Sequence, residues 1–352
     1  SGQSFSVDPR PLDPAVPANP LQKLLFKIMY SKQDDYEAQL RSMGLLDNDA
    51  FTCTCYQPEV GNRPRRGDIL SWAESSAVVF ANSVLGARCN RNSGIIEMFG
   101  SIAGFVPEFG LLTDEGRKAT WIIEVDCKRK PEAQVLGSAI GMKVMEDVPY
   151  IKGLDRWLGR ELTPGTQDYL KDMGAASASN GAVGLYHVDG ITPEAVEQGE
   201  HLIALDAQIY RIDDAELERI RSSYPVMWKN PGARPKLAFI GCPHLSSVQL
   251  AHWADAICDG LSASGNCRVQ VPTVLTAAPS VADAFRKTAA YRRLSTTGAV
   301  VSSICPLMYT NNPLCGSMPI ITNSNKLRTY SASRYYTDDE VLAYVTTGKP
   351  IK

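Results

Sequence analysis

The chain has 352 residues, 36 Lys and Arg against 38 Asp and Glu for a net charge of −2, and is 44% hydrophobic and 21% charged. These values exclude a disordered tail, a collagen-like repeat and a coiled coil, and the near-neutral balance, broken only by short basic runs at 63–66 and 128–130, argues against nucleic acid as a partner. No run approaches the ~18 apolar residues that span a bilayer, and the opening residues show no charged-then-apolar leader.

Pro9, Pro11, Pro14, Pro17 and Pro20 make the first twenty residues an extended lead-in. Leu21, Leu24, Leu25 and Ile28 predict a helix over 21–30, and a second is expected near 34–44. Residues 51–71 are turn-rich; a largely apolar stretch from 77 to 85 then runs into the polar, glycine-flanked segment 86–94. The run 121–125 predicts a buried strand, and 131–146 a helix opened by Pro131 in its first turn. Strands at 184–188 and 202–205 and helices near 192–199 and 213–222 follow, and Pro225, Pro231, Gly232 and Pro235 read as a linker. Beyond it, strands at 236–240, 268–271 and 298–302 alternate with helices at 246–261 and 280–294, the pattern of a parallel sheet with crossover helices. Three regions result: 1–130, 131–232 and 233–352.

Ligands of such sheets sit beyond the carboxyl ends of the strands, and two of those ends carry cysteine. One is Gly241-Cys242-Pro243-His244, the other Ser303-Ile304-Cys305-Pro306. A helix start after each favours the thiolate through its free N–H groups and dipole. Two such thiolates can hold a soft metal or an iron–sulfur cluster, and Cys53, in Thr52-Cys53-Thr54-Cys55-Tyr56, can supply a third. Cys89, Cys127, Cys258, Cys267 and Cys315 are read as packing residues. The cysteine count of nine is odd and fits a reducing, cytoplasmic compartment. A closed Cys₃His zinc site of Cys53, Cys242, Cys305 and His244 in a non-catalytic binding protein is the alternative.

The segment from Trp72 to Arg91, with Glu74-Ser75-Ser76-Ala77-Val78 and Phe80-Ala81-Asn82-Ser83-Val84-Leu85-Gly86-Ala87-Arg88 inside it, resembles the signature of the aconitase X family. It departs at Cys89, where Thr is usual. Cys53 matches the cysteine of the family's Thr-Cys-Thr-Pro-Tyr loop, with Cys55 in place of the proline, and the motifs at Cys242 and Cys305 match too. The 62 residues between those two cysteines are similar to the spacing in aconitase-type hydro-lyases, which carry a further cysteine three positions on. Met308 stands there in this chain, and the resemblance implies that the Cys53 loop supplies the missing ligand. It covers roughly residues 20–350 and implies an aconitase-like α/β fold of several doubly wound α/β/α domains with mostly parallel sheets.

The resemblance also implies the chemistry: dehydration of a small hydroxy acid, with an iron–sulfur cluster or a mononuclear iron as Lewis acid to the leaving hydroxyl. Cis-3-hydroxy-L-proline, giving pyrroline-2-carboxylate, is the expected substrate, and mevalonate 5-phosphate is the alternative. The lead-in and the helix around 25–30 are closer to the hydroxyproline branch, and 88–91 lacks the surplus of cations that a phosphate calls for. Arg88 and Arg91 are the candidates to hold a carboxylate, which a guanidinium matches bidentately. Asn82, Ser83 and Asn90 are expected to line the substrate, and Glu74, Ser75 and Ser76 to take part in catalysis. His244 is expected to orient the Cys242 loop or the substrate. In related aconitases the base is a serine on a swivelling domain. The chain shows no such domain, so the expected partners are a small swivel subunit or domain carrying the base and an N-terminal segment that the family places before the lead-in.

Overall fold

Strands that alternate with helices pair in parallel, because each crossover returns the chain to the same end of the sheet. The computed structural model, which describes residues 4–47 and 50–351, does this twice. The first three residues of the lead-in fall outside the described residues. Two compact units form: Arg63–Tyr224, and residues 4–62 together with 225–351.

In the first unit, β1 (Ala119–Val125), β2 (Pro149–Lys152), β3 (His187–Val188) and β4 (Ile203–Ile212) form a sheet in the order β3-β2-β1-β4, every pair parallel. The expected strand at 121–125 starts two residues earlier and alternates buried with half-buried positions, the mark of a sheet covered on one face. The helix expected at 131–146 is Ala133–Val144 with Glu132 as its cap, so Pro131 precedes the helix and does not open its first turn. That helix packs on Pro164–Asn180 so closely that a Cβ at Gly137 would stand 2.1 Å from the Met173 carbonyl oxygen. Pro164–Asn180, a 17-residue helix, has no counterpart among the expected elements. Its start was nevertheless written locally, with Thr163 capping the Thr166 N–H and proline at the first helical position.

In the second unit, β5 (Leu237–Leu245), β6 (Thr273–Ala277), β7 (Val300–Ser302), β8 (Ile320–Thr322) and β9 (Arg334–Tyr335) form a second all-parallel sheet, in the order β7-β6-β5-β8-β9. From β5 the chain winds out to β7, then returns to the other side of β5 for β8, as in doubly wound folds. The strand expected at 268–271 lies instead at β6. The Pro272 carbonyl accepts the first ladder bond, from the Ala238 N–H at 2.8 Å, and Pro272 has no N–H with which to extend the ladder further back. The helix expected at 280–294 is two, Pro279–Arg286 and Ala289–Thr296, because the Thr288 side chain caps the second.

The helices Pro20–Met29 and Gln33–Met43 match the periodicity at 21–30 and 34–44. Val16 and Phe26 join Leu237, Phe239, Tyr309 and Ile320 in one buried cluster, and the Tyr309 hydroxyl donates to the Pro17 carbonyl at 2.7 Å. The lead-in therefore belongs with the C-terminal strands. A boundary at 130/131 falls inside the first unit, between β1 and Ala133–Val144, and the proline-rich linker lies where the chain leaves that unit after Tyr224. Among the described residues no helix is long and apolar enough to cross a membrane.

Candidate functional site

The strand order of the second unit reverses between β5 and β8, and ligands of open parallel sheets sit at such a switch point. Here β5 carries an irregularity between Ile240 and Leu245. Gly241 makes the bend at φ +104°, where a Cβ would stand 2.6 Å from the Thr276 carbonyl oxygen, so only glycine enters it. The bend displays Cys242, Pro243 and His244 at the carboxyl end of the strand. Ser324, cap of the helix Asn325–Tyr330 that follows β8, donates to the Cys242 carbonyl. Beyond β7, Cys305 caps the helix Pro306–Thr310. Burial pushes its thiol up, while the N–H groups of Met308 and Leu307 and the Lys326 charge pull the other way.

His244, fully buried, joins the three cysteine segments. Its main-chain N–H donates to Cys53 Sγ at 3.3 Å, Nδ1 lies 3.0 Å from Thr52 Oγ1, and Nε2 lies 3.1 Å from the carbonyl oxygen of Ile304, the residue before Cys305. A carbonyl only accepts, so Nε2 carries the proton. Both ring nitrogens are committed. His244 therefore stands behind the thiols as a tie between loops, and the closed Cys₃His zinc site is not formed. Among the described residues no three Cys, His, Asp or Glu side chains gather as tightly as a single ion requires. Main-chain N–H groups face the sulfurs of Cys53 and Cys305, and thiols as donors suit a soft metal or an iron–sulfur cluster.

The block 72–94 lies in the first unit. Its apolar stretch is the helix Ser75–Ser83, buried from Ser76 onward. Glu74 caps it: Oε2 accepts from the Ala77 N–H at 2.7 Å and from Ser76 Oγ at 2.6 Å. Ser75 is half-buried in the first turn. Asn82 uses its whole amide, with Nδ2 donating to the carbonyls of Cys89 and Gly184 at 2.8 Å each. Its Oδ1 accepts from the Cys89 N–H at 3.0 Å and from Arg117 Nη1 at 3.1 Å, so Asn82 shapes the loop. Ser83 Oγ accepts from the Tyr186 N–H at 2.9 Å, and Asn90 bridges the Phe109 carbonyl and the Leu111 N–H at 2.9 and 2.8 Å. Arg91 Nη2 donates to the Ala178 carbonyl at 2.9 Å. Arg88 donates to the Leu112 carbonyl at 2.7 Å and pairs with exposed Asp114, whose carboxyl it holds below the usual range. Burial pushes the Cys89 thiol up to about 12, which keeps it neutral as a packing group.

Two groups were not singled out from the sequence. Arg117, buried, grips both carboxylate oxygens of Glu194 at 2.7 and 2.9 Å while holding Asn82, and its carbonyl meets His187 Nε2 at 2.8 Å. Nothing local marks residues 77 positions apart as partners. Ser324 and Lys326 are the other group, and they had a signal: the apolar run ending at Thr322 followed by Asn323-Ser324-Asn325-Lys326 is a strand running into a capped helix.

Family models described as the first, second and third domains of aconitase X match residues 18–115, 119–222 and 235–339. The phosphomevalonate dehydratase large subunit of Thermococcus kodakarensis is 34% identical over 86% of this chain and 72% of its own length. That of Methanothermobacter thermautotrophicus is 39% identical over 55% of this chain and 45% of its own. The cis-3-hydroxy-L-proline dehydratase of Pseudomonas aeruginosa is 31% identical over 80% of this chain and 47% of its own. The chain thus spans about half the length of the last two relatives. A crystal structure of Thermococcus kodakarensis aconitase X in its holo form superposes with a TM-score of 0.77 at 29% identity, covering 97% of this chain and 81% of that one.

Proposed function

This chain belongs to the aconitase X family, and on that premise we propose that it is the larger catalytic part of a hydro-lyase that dehydrates cis-3-hydroxy-L-proline to pyrroline-2-carboxylate. The reading is carried by His244, which gathers the segments of Cys53, Cys242 and Cys305 at the carboxyl edge of a doubly wound sheet. Those cysteines are assigned to an iron–sulfur cluster, which when bound supplies a Lewis acid for the leaving hydroxyl. None of the nine cysteines is in a disulfide, in keeping with a reducing cytoplasm.

The carboxylate of the substrate is assigned to Arg88 and Arg91. Asp114, paired with Arg88 at the surface, is a carboxylate that a substrate can replace at small cost, because solvent screens an exposed ion pair. Two guanidiniums that each also donate to a main-chain carbonyl match one carboxylate. Mevalonate 5-phosphate adds a phosphate, for which 86–94 holds no further cation; the names of the large subunits that the chain resembles favour it as the second reading. Proton abstraction is assigned to a smaller companion chain or domain, since the hydroxyls of Ser76 and Ser83 already serve the helix and the Tyr186 main chain.

The test is turnover of both compounds by this chain with its companion, in wild type and in Arg88→Lys, which keeps charge but loses the fork. Dehydration of cis-3-hydroxy-L-proline that falls by about 2–4 kcal/mol in kcat/KM in the variant is the expected result. Turnover of mevalonate 5-phosphate alone selects the second reading. Turnover of neither, with iron and sulfide bound, ends the assignment.

A further inference from the structure

Arg117 closes the turn Glu115–Arg117 just before β1, and only 1% of it is exposed. A guanidinium carries five N–H groups, and here each has an acceptor. Nε and one N–H of Nη2 donate to the two carboxylate oxygens of Glu194 at 2.7 and 2.9 Å, which neutralises the buried charge. The other three go to two segments: Nη1 to Asn82 Oδ1 at 3.1 Å and to the Leu111 carbonyl at 2.9 Å, and Nη2 to the Asn82 carbonyl at 3.2 Å. Both segments hold Arg88. Asn82 Oδ1 also accepts from the N–H of Cys89, the next residue in the chain, and the residue after Leu111 is Leu112, whose carbonyl accepts from Arg88 Nη1. Asn90 ties the two together, its Oδ1 accepting from the Leu111 N–H at 2.8 Å. The turn itself is packed without slack: a Cβ at Gly116 would run into the Gly110 carbonyl.

We infer that Arg117 is a positioning residue: it sets where the Arg88 guanidinium stands, and so how tightly the substrate carboxylate is held. The inference rests on the reading that Arg88 binds that carboxylate. Arg117 does not take the carboxylate itself, because all its donors are engaged and Glu194 neutralises it. Its effect passes through the main chain on either side of Arg88. A bidentate fork works only when both N–H groups line up with both oxygens, and a misplacement of about 1 Å can cost roughly a hundredfold. Stability alone asks for the pair with Glu194; the three remaining N–H groups all go to Asn82 and Leu111, the two supports of the Arg88 loop. Lysine does not reproduce this. Its ammonium keeps a charge opposite Glu194 but has no planar fork to span Glu194, Asn82 and Leu111 at once.

The experiment compares wild type, Arg117→Lys and Arg88→Lys, each with the companion chain, by KM and kcat for cis-3-hydroxy-L-proline and by calorimetric binding of two unreactive ligands. L-Proline keeps the carboxylate and lacks the hydroxyl; L-prolinamide lacks the carboxylate as well. The expected result is that Arg117→Lys raises KM and the dissociation constant of L-proline about tenfold, changes kcat far less and leaves L-prolinamide binding as it was. A merely structural role would lower kcat through the fraction of folded enzyme and leave KM and the preference for proline over prolinamide untouched; that outcome overturns the proposal. If Arg117→Lys does not fold, the double variant Arg117→Met with Glu194→Gln, which leaves no buried charge unpaired, carries the same comparison. Loss of the preference for proline in Arg88→Lys but not in the Arg117 variant overturns the positioning role while the carboxylate reading stands. A wild type that binds proline no better than prolinamide removes the carboxylate reading, and the proposal with it.

Discussion

At Cys305 the sulfur sits over the start of Pro306–Thr310, facing the N–H groups of Leu307 and Met308. Serine is nearly isosteric but neither soft nor readily ionised. Cys305→Ser should therefore lose iron and acid-labile sulfide after anaerobic reconstitution while its stability changes by about 1 kcal/mol or less. Cys55→Ser, at the position where the family carries proline, should keep both. Full iron in Cys305→Ser would sink the ligand assignment. His244 acts one step back. His244→Ala leaves the Ile304 carbonyl without its donor in a buried site and should cost about 1–3 kcal/mol. A merely structural histidine would lower the melting temperature alone. A tie between ligand loops should also lower iron per folded chain and alter the visible circular dichroism of the reconstituted protein, with His244→Gln partly restoring both.

Among the elements, β3 and the helix Ser75–Ser83 are linked by one buried network. His187 on β3 meets the Arg117 carbonyl, Arg117 holds Asn82 near the end of the helix, and Asn82 holds the Cys89 loop. Burial lowers the pKa of His187 below its ordinary value, outweighing the opposite pull of the Arg117 carbonyl and Glu194. The unfolded chain, whose histidine titrates at about 6.5, then takes up a proton that the native state refuses. The stabilisation is complete above that pH and is lost as pH falls through the window below it. Urea unfolding between about pH 7 and pH 5 should show a steeper loss of stability in wild type than in His187→Gln, which keeps a donor for the carbonyl but does not titrate. Parallel slopes would clear His187 of that role.

For the whole molecule, the proposed division of labour has a direct consequence. A dehydration needs a base as well as a Lewis acid, and the hydroxyls of the signature helix have structural partners at Ser76 and Ser83. This chain by itself should bind iron weakly and turn over no hydroxy acid, and adding the smaller companion should restore turnover. The comparison is kcat for cis-3-hydroxy-L-proline with and without it. Full activity of the lone chain would send the search for the base back to Ser75 and Ser76.

The sequence by itself determined what acts over short distances. The spacing of Leu21, Leu24, Leu25 and Ile28 marked the helix Pro20–Met29, although Leu21, Leu24 and Ile28 are exposed and Gln22 and Phe26 are its buried residues, and alternating strands and helices after residue 235 marked a parallel sheet. With the sheet came Cys242 and Cys305 at strand ends, and the residues from Trp72 to Arg91 pointed to the family. A cap or an apolar stripe works within about four residues of itself, so it can be read without the rest of the chain. Local signals compete at 268–271, where β propensity favours a strand that begins only at Thr273, after Pro272. Tertiary structure decided the rest. It joined the proline-rich lead-in to strands more than two hundred positions later, because Val16 and Phe26 found their burial against Phe239 and Tyr309. It turned Gly94–Ala103 inside out, because Glu97 had buried donors in Ser71 and Asn92 that no helical wheel contains. It set His244 against Thr52, 192 positions away, and so gathered three cysteine loops that the sequence could only name one by one. Contacts of that separation depend on which closure of the chain buries apolar surface while leaving every buried donor and acceptor satisfied, a condition on the whole fold that no stretch of residues carries alone.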